Sequence, residues 1–334
     1  MGRPDTPDRF FRGDVELGEG LFPGQAMHAR KKGDRRYERL RARLMESEFA
    51  LEVETQFGAL DRLKPAGGRL PLGPYLEALW HRRHFIWRDV KSRVRTSNAN
   101  ERLGSLWLVL KPLLDAAFYG LIFGLVLNAG RGTENFVAFI LIGIFMFQLT
   151  NAAISQSSGV IRHQRALIRA FSFPRAAIPV SLVIRQLLEA APGFAVMLVL
   201  IWAIPPHEQP TLLWLLFPVL LAIQSLLNLG IALGLARFGH AVPDLGQFVS
   251  FVGRILLYAS GVIFPIDRFV NHPMAHFIVE LNPIYQFIDS YRMILMQGTF
   301  PPPERWMTLL AWSLGTLLVG FLVFWLKEES YGRE

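Results

Sequence analysis

The stretch NFVAFILIGIFMFQLTNAAISQSSGVI, residues 135–161, runs for 27 residues without one Asp, Glu, Lys, Arg or His. An α-helix needs about 20 apolar residues to cross the roughly 30 Å hydrocarbon core of a bilayer. Two further stretches, residues 209–236 and 306–326, are also free of charged side chains. The chain is therefore predicted to be an integral membrane protein that works across or within a bilayer.

Charged residues are concentrated before this membrane region. Residues 1–105 hold 21 of the 35 Lys and Arg and 15 of the 27 Asp and Glu. This division predicts a polar N-terminal region, either solvated chain or a segment attracted to anionic lipid headgroups. We expect no signal peptide, because the first 30 residues lack a continuous apolar core. The absence of cysteine excludes disulfides and thiolate metal sites.

The predicted fold is an all-α integral membrane protein with six transmembrane helices, an N-terminal amphipathic interface helix and an outer re-entrant helix pair. The expected spans are residues 106–127, 136–161, 177–204, 212–236, 245–264 and 306–326. The expected domains are a polar cytoplasmic extension (1–74, partly disordered, with one helix at 33–64), the interface helix and a gate turn (75–105), the transmembrane domain (106–328) and a cytoplasmic tail (329–334).

Two segments outside the spans have distinctive patterns. Residues 75–94, YLEALWHRRHFIWRDVKSRV, interleave Trp and Phe with basic side chains, which is typical of a helix lying in the headgroup plane. A soluble helix packed on a partner is the alternative. Residues 265–303 contain apolar clusters too short to cross, interrupted at Asn282-Pro283. They favour two short helices dipping into the outer leaflet between spans five and six, with an outer surface cap as the alternative.

Basic residues in the short loops predict the orientation. Seven lie in loops that would be cytoplasmic and four in the opposite loops. The seven are Arg162, Arg165, Arg169, Arg175, Arg237, Lys327 and Arg333, and the four are Arg131, Arg268, Arg292 and Arg305. The positive-inside rule and the even number of spans place a multi-pass protein in the cytoplasmic membrane with both termini in the cytoplasm.

Charges within the predicted spans occur mostly as pairs. Lys111 with Asp115, and Arg185 with Glu189, are each spaced four residues apart on one helix. This spacing allows an ion pair, and a polar lining for a hydrophilic substrate is the alternative, because an unpaired charge at this depth is costly. Arg254 has no acid at helical spacing and must face protein, water or an anionic substrate group.

Several catalytic patterns are missing from the sequence. It contains no G-x-x-x-x-G-K-[ST], no H-E-x-x-H and no Asp-rich metal cluster, so neither nucleotide hydrolysis nor metal catalysis by this chain is predicted. Spans one to three do not repeat in spans four to six, as they do in many secondary transporters. We therefore expect a pore-forming subunit, not an enzyme, whose energy is supplied elsewhere.

Ordered short motifs resemble the type-2 ABC exporter permeases, and most closely those that export O-antigen, teichoic acid or galactan precursors. The motifs are LGSLW (103–107), KPLL (111–114), YGLIFG (119–124), LI (167–168), FPR (173–175), IP (178–179), GVIFP (261–265), LNP (281–283), YR (291–292) and Gly298. The similarity covers about residues 75–328. One departure is AVPD at 241–244, where the family usually has Arg before the Asp, which weakens any gating role there.

This resemblance implies a half-transporter. Two copies would form the channel, and two P-loop ATPase subunits would drive it, with ATP and Mg bound by those partners and no cofactor bound by this chain. A coupling helix at residues 162–171 would sit in a groove of the ATPase through Arg162, His163, Gln164, Arg165, Leu167, Ile168 and Arg169. Residues 98–103 would form a gate for the lipid headgroup, with Arg95, Arg102 and Lys111 as contacts for a polyprenyl diphosphate. Arg95 and Arg102 could equally be positive-inside anchors.

For the sugar chain, the expected contacts are aromatic, because the C–H faces of sugars stack on aromatic rings. The candidate glycan path is Trp107, Phe118, Tyr119, Phe123, Phe145, Phe147, Tyr258 and the cation Arg254; lipid-facing or packing roles are the alternative for each ring. The expected substrate is a lipid-linked glycan in the membrane, with no nucleic-acid partner. Two other functions compete with this one: an exporter of drugs or small lipids in the same superfamily, and a membrane-embedded enzyme or scaffold of envelope synthesis.

Overall fold

The computed structural model describes residues 70–96, 104–126, 135–170, 173–205, 208–242, 244–266 and 273–332. Within these ranges every regular element is helical and no β-strand occurs, which confirms the predicted all-α class. The predicted helix at 33–64 and the gate turn at 98–103 lie outside the described residues.

Twelve α-helices make up the described parts of the chain. They are α1 (Leu72–His81), α2 (Arg83–Thr96), α3 (Trp107–Tyr119), α4 (Phe136–Ser157), α5 (Val160–His163), α6 (Arg165–Ala170), α7 (Ala177–Ala203), α8 (Phe217–Ala241), α9 (Leu245–Ala259), α10 (Pro273–Leu281), α11 (Pro283–Arg292) and α12 (Pro303–Leu326). Short 3₁₀ or π segments lie at Gly104–Leu106, Gly120–Val126, Leu212–Leu216, Met293–Gln297 and Glu328–Gly332.

Four of these helices are long and apolar enough to cross a membrane: α4, α7, α8 with its preceding 3₁₀ turns, and α12. They correspond to predicted spans two, three, four and six. Predicted span one is α3 followed by a π-helical segment that ends at Val126. Predicted span five is the 15-residue apolar helix α9. It ends five residues earlier than expected because Gly261, with φ of +59°, turns the chain away.

Helix α4, which contains most of the uncharged stretch 135–161, is the centre of the bundle. Most of its side chains are buried, and it contacts α3, α7, α8, α9 and α11. A helix that is apolar all round must be surrounded on all sides. The stretch that predicts a membrane protein is therefore also its packing core.

Helices α8 and α12 form the most intimate pair of the bundle. A Cβ added at Gly230 would overlap the backbone of Thr316 and Leu317, and one added at Gly320 would overlap the backbone of Gly230. Small residues at such a crossing let two helix backbones touch, which strengthens van der Waals packing where lipid offers no hydrophobic driving force.

Two helices, α10 and α11, occupy the long interval between predicted spans five and six. They are separated at Asn282-Pro283, as predicted. The side-chain oxygen of Asn282 caps α11 by accepting from the Ile284 amide at 3.0 Å. The side-chain nitrogen of Asn282 donates to Ser260 Oγ at 2.9 Å. Asp289 on α11 pairs with Arg305 at the start of α12 at 3.3 Å. These contacts tie α11 to the ends of α9 and α12.

A group of four polar residues, which we call the polar knot, joins α11 to α4 and α8. Arg292 is 5% exposed. Its Nη2 donates to the Phe139 carbonyl at 3.2 Å and to the Val262 carbonyl at 3.1 Å. Its guanidinium lies 3.4 Å from the Phe139 ring centroid. Tyr291 donates to Gln224 at 2.9 Å. Gln224 in turn donates to the Met146 carbonyl at 3.0 Å and to Thr150 at 2.9 Å. The knot consists of Arg292, Tyr291, Gln224 and Thr150.

Candidate functional site

A groove of about 800 Å³ opens between α3, α4 and α7. We call it the interhelical groove. It is lined by aromatic, polar and charged side chains at the level of the apolar helices. Its lining residues are Trp107, Leu108, Lys111, Pro112, Phe145, Gln148, Leu149, Ala152, Gln156, Gln186, Glu189, Ala190, Gly193 and Phe194. Three predicted site residues, Trp107, Lys111 and Phe145, therefore meet on one surface.

Proline and glycine shape the walls of this groove. Pro112 lies inside α3 and Pro192 inside α7, and each removes one backbone hydrogen bond from its helix. A Cβ at Gly193 would lie 2.9 Å from Cε1 of Phe145, so only glycine lets α7 approach the Phe145 ring this closely. The groove wall at this level therefore consists of the Phe145 ring in close contact with the backbone of α7.

The charged residues of α3 differ from the expected ion pair. Asp115 accepts a 2.7 Å hydrogen bond from Gln148 on α4, and the described residues contain no ion pair between it and Lys111, which is exposed at the groove. The predicted pairing is wrong: Asp115 bonds to Gln148 of the neighbouring helix, and Lys111 faces the groove instead. A base placed four residues before an acid is also the less favourable order on a helix.

On α7 the second predicted pair is only marginal. Arg185 Nε and Glu189 Oε1 are 4.0 Å apart, and Arg185 Nη2 donates instead to Gln156 of α4 at 3.0 Å. Three glutamines, Gln148, Gln156 and Gln186, line the groove. None of them was singled out from the sequence, although amide side chains inside otherwise apolar spans are a readable signal.

The aromatic residues predicted for a glycan path fall into four places. Trp107 and Phe145 line the groove. Phe118, Tyr119 and Phe123 form a row of rings, with centroids 5.5 and 6.4 Å apart, that continues to Phe264 at 6.4 Å. Phe264 was not predicted as a site residue. Tyr258 and Arg254 are exposed on α9, whereas Phe147 is 3% exposed in the core and does not line the groove.

The segment predicted to couple to an ATPase forms two short helices, α5 and α6. His163 and Arg165 are exposed, and Arg162, Gln164 and Leu167 are partly exposed. Ile168, expected to anchor in a partner, is 7% exposed and packs with Val160, Ile161 and Ile178 of its own chain. It therefore fixes the segment in place. The side chains of Arg95 and Arg169 and the whole of Arg102 lie outside the described residues.

A second cavity, of about 490 Å³, lies between α2, the end of α4, α5 and the start of α7. Arg93 joins its walls: Nε lies 2.9 Å from both carboxylate oxygens of Asp89, and Nη2 donates to Gln164 at 3.3 Å. Arg162, His163 and Arg185 also line it. Helix α2 and the α5–α6 segment thus share one largely basic cavity.

Next to the α5–α6 segment, four residues from distant parts of the sequence form a contact that we call the basal clasp: Tyr75, Arg175, Glu328 and Tyr331. The Arg175 amide donates to Glu328 Oε1 at 2.8 Å, and the Arg175 guanidinium donates to the Glu328 carbonyl. The Ala176 amide donates to the Tyr75 hydroxyl at 3.1 Å. Tyr331 donates to the Phe324 carbonyl at 3.1 Å.

Burial dominates the electrostatics of the basal clasp. It raises the pKa of the Glu328 carboxyl, although the Arg175 amide, the Tyr75 hydroxyl and the Arg175 charge act in the opposite direction. Burial and the nearby Glu328 charge raise the pKa of Tyr75 as well. The end of the bundle that carries this clasp is called the basal end below.

Comparison with known proteins gives a consistent result. The model of the ABC-2 type transporter family matches residues 83–296. The O-antigen export system permease protein RfbA of Myxococcus xanthus is 27% identical over 249 residues, covering 75% of this chain and 93% of that protein. A Klebsiella pneumoniae protein of the same name is 28% identical over 213 residues, 64% and 78% of the two chains. The polysialic acid transport protein KpsM of Escherichia coli is 24% identical over 241 residues, 71% and 91%.

Proposed function

This chain belongs to the ABC-2 type transporter family, and from that premise we propose that it is the transmembrane subunit of an ATP-driven exporter of a lipid-linked polysaccharide. It is a multi-pass membrane permease and not itself an enzyme. The cargo in this proposal is a glycan on a polyprenyl diphosphate, moved across the cytoplasmic membrane. A separate ATPase chain binds ATP and Mg and supplies the energy.

The observation that carries the proposal is the interhelical groove. It combines the ring of Trp107, the cation of Lys111 and several amide side chains between apolar helices. A sugar chain has C–H faces for rings and hydroxyls for amides, and a lipid diphosphate has charge for a cation. A purely apolar cargo would need none of these polar groups, so the groove favours a glycolipid over a drug or a simple lipid.

Contact with the ATPase is assigned to the exposed part of α5 and α6. His163 and Arg165 project from a segment held down by Ile168, so a force applied to them would be transmitted to α4 and α7. Arg162, Gln164, Leu167 and Arg169 complete the proposed contact. In the assembled exporter two ATPase subunits engage two copies of this chain.

A second copy is proposed to face α9. Phe248, Phe251, Ile255 and Tyr258 are each about half exposed or more on this helix, and Arg254 lies among them. A cation in a bilayer must face protein, water or an anionic group, so an assembly in which α9 borders the transport path would accommodate it. Tyr258 and Arg254 then join the row Phe118, Tyr119 and Phe123 along that path.

The basal end is proposed to face the cytoplasm. In this arrangement both termini are cytoplasmic, α1 and α2 form the interface helix, α3 and α9 complete six spans, and α10 and α11 re-enter the outer leaflet. Arg95, Arg102 and Lys111 form the gate for the diphosphate. Positive charge on the α5–α6 segment supports this orientation.

The test is reconstitution of the full chain with a co-expressed P-loop ATPase in vesicles, measuring ATP-dependent movement of polyprenyl diphosphate glycans. We expect transport, and we expect Arg165→Glu to abolish coupling by reversing charge at the ATPase contact. Glu304→Lys, a charge reversal at an exposed residue at the start of α12, is the control and should transport normally. Movement of a drug or an unglycosylated lipid, with no glycan transport, would favour the competing exporter function.

A further inference from the structure

Four buried polar atoms without a hydrogen-bond partner lie within little more than one turn of α7: Arg185 Nε, both amide atoms of Gln186, and Glu189 Oε1. Gln186 is only 4% exposed. Buried polar groups in folded proteins are nearly always hydrogen-bonded, because an unmet group loses its water without replacement. A helix in a bilayer has even less water to offer. Within the described part of the chain, these four polar atoms therefore have no hydrogen-bond partner.

The turn lies where the two cavities adjoin. Gln156 lines both the 490 Å³ cavity and the 800 Å³ interhelical groove. Arg185 lines the first, and Gln186 and Glu189 line the second. The 4.0 Å gap between Arg185 Nε and Glu189 Oε1 exceeds hydrogen-bond distance. The unmet atoms are thus next to space that a ligand can occupy.

The chemistry of these atoms specifies the ligand class. Gln186 offers one donor group and one acceptor, Glu189 accepts, and Arg185 donates. A pair of sugar hydroxyls, each able to donate and accept, satisfies all of them at once. A phosphate would pair with Arg185 but would be repelled by Glu189 and could not donate to the Gln186 oxygen. Trp107, 37% exposed in the groove, adds a ring face for the sugar C–H surface.

We propose that Arg185, Gln186 and Glu189 form a sugar-binding subsite, which holds a hydroxyl-rich unit of the cargo where the basal cavity meets the groove. This inference rests on the proposed function, since the sugar is part of the exported glycolipid. The bound sugar supplies hydrogen-bond partners for these atoms, after a change in the Gln186 side-chain torsions turns its amide toward the groove.

The test uses the full chain in lipid nanodiscs and two probes: a polyprenyl diphosphate carrying a disaccharide, and the same diphosphate without sugar. Wild-type protein is expected to prefer the glycosylated probe. Methionine is close to glutamine in length but lacks its hydrogen-bonding amide. In Gln186→Met, the ratio of affinities for the glycosylated and bare probes should therefore fall about tenfold, the factor expected for one good hydrogen bond. The substitution should also raise the melting temperature without ligand, because it removes two unmet buried atoms.

Opposite signs for binding and stability separate a ligand site from a structural residue, whose loss would lower both. Gln209→Met, the same change at an exposed residue, should alter neither. Glu189→Gln is the second variant: removing its negative charge should weaken preference for the sugar while strengthening binding of the bare diphosphate. A lowered melting temperature for Gln186→Met, or an unchanged preference in both variants, would overturn the subsite.

Transport in vesicles with the ATPase keeps the two proposals distinguishable. Transport by wild type, with full preference retained in both Gln186→Met and Glu189→Gln, rejects the subsite alone. Binding that depends on Gln186 without any glycan transport supports the subsite and rejects the export function. Equal binding of both probes, or complete displacement of the glycosylated probe by phosphatidylglycerol vesicles, would identify the turn as a lipid-headgroup site and overturn the inference.

Discussion

The polar knot around Arg292 and the α7 turn around Gln186 are both buried polar clusters among apolar helices, yet their hydrogen bonding differs. In the knot, Arg292 Nη2, Tyr291, Gln224 and Thr150 have partners between 2.9 and 3.2 Å away on other elements. In the turn, four polar atoms have none. A cluster whose polar atoms are hydrogen-bonded fixes helices to one another. A cluster whose polar atoms have no partner in the fold is suited to bind a polar ligand.

This difference carries a physical lesson about charge in a bilayer. The Arg292 guanidinium is tolerated because two carbonyls and a ring face surround it, even though its Nε lacks a hydrogen-bond partner. Arg185 lacks such a cage and depends on Gln156 and a distant carboxylate. We expect substitutions in the knot to affect folding first, and substitutions in the turn to affect binding first.

Arg292→Met should have the largest effect. It leaves the buried Val262 carbonyl without its Arg292 donor, removes the additional bond to the Phe139 carbonyl and removes the cation from the Phe139 ring. One unmet buried group costs about 1–3 kcal/mol and a desolvated cation–π contact contributes about 2 kcal/mol, so the predicted loss is about 2–5 kcal/mol in the free energy of unfolding. Thermal unfolding in nanodiscs measures it. Arg254→Met at an exposed position of α9 is the control, and equal melting temperatures for the two variants would contradict a structural role for the knot.

Gln224→Leu should have an intermediate effect. Gln224 is 1% exposed and bridges α8 to both α4 and α11. Its loss leaves the buried Tyr291 hydroxyl without its acceptor and removes both hydrogen bonds to α4. We expect a loss of about 1–3 kcal/mol.

The comparison for Gln224→Leu is Gln186→Met. Both remove a buried glutamine from an apolar helix, but only the residue with partners should destabilise the chain when it is lost. Gln247→Leu, exposed on α9, reports the effect of the substitution itself. A rise in melting temperature for Gln224→Leu would contradict the structural role of the knot, because both glutamines would then behave as unpartnered residues.

The sequence predicts the helices and their ends better than it predicts the unpartnered polar atoms of the α7 turn. The uncharged run at 135–161 identifies α4 because length and composition suffice for a membrane helix. Asn282-Pro283 identifies the break between α10 and α11, since Asn caps a helix and Pro fits its first turn. Both signals are local and therefore readable without a structure.

Tertiary contacts explain what the sequence could not give. Lys111 and Asp115 have the spacing of an ion pair, but Gln148, 33 residues away, binds the acid instead. Ile168 has the pattern of a partner-facing anchor, but its own chain covers it. Likewise, no pattern in α7 shows that the Gln186 amide lacks a hydrogen-bond partner, because its hydrogen bonding depends on which helices surround it.

The smallest predicted effect concerns the basal clasp, which lies outside the long apolar helices and contains the buried acid Glu328. Burial raises the pKa of Glu328, so the folded protein binds this proton more tightly than the unfolded chain does. The contribution is therefore fully favourable below the ordinary glutamate pKa of about 4.3, and it is lost as pH rises through the raised folded pKa. Wild-type melting temperature should fall over that window, and Glu328→Gln, which keeps an acceptor for the Arg175 amide, should flatten the fall.

The neighbouring Glu329 provides the control, because it is exposed at the same end of the chain. Glu329→Gln should leave the pH profile close to that of wild type, so that the difference between the two variants isolates the buried carboxyl from every other titrating group. A profile that stays steep in Glu328→Gln would mean that another group carries the pH dependence. A profile that rises with pH in wild type would mean that pairing with Arg175 outweighs burial, and the clasp would then resemble the polar knot, with its charge stabilised by its partners.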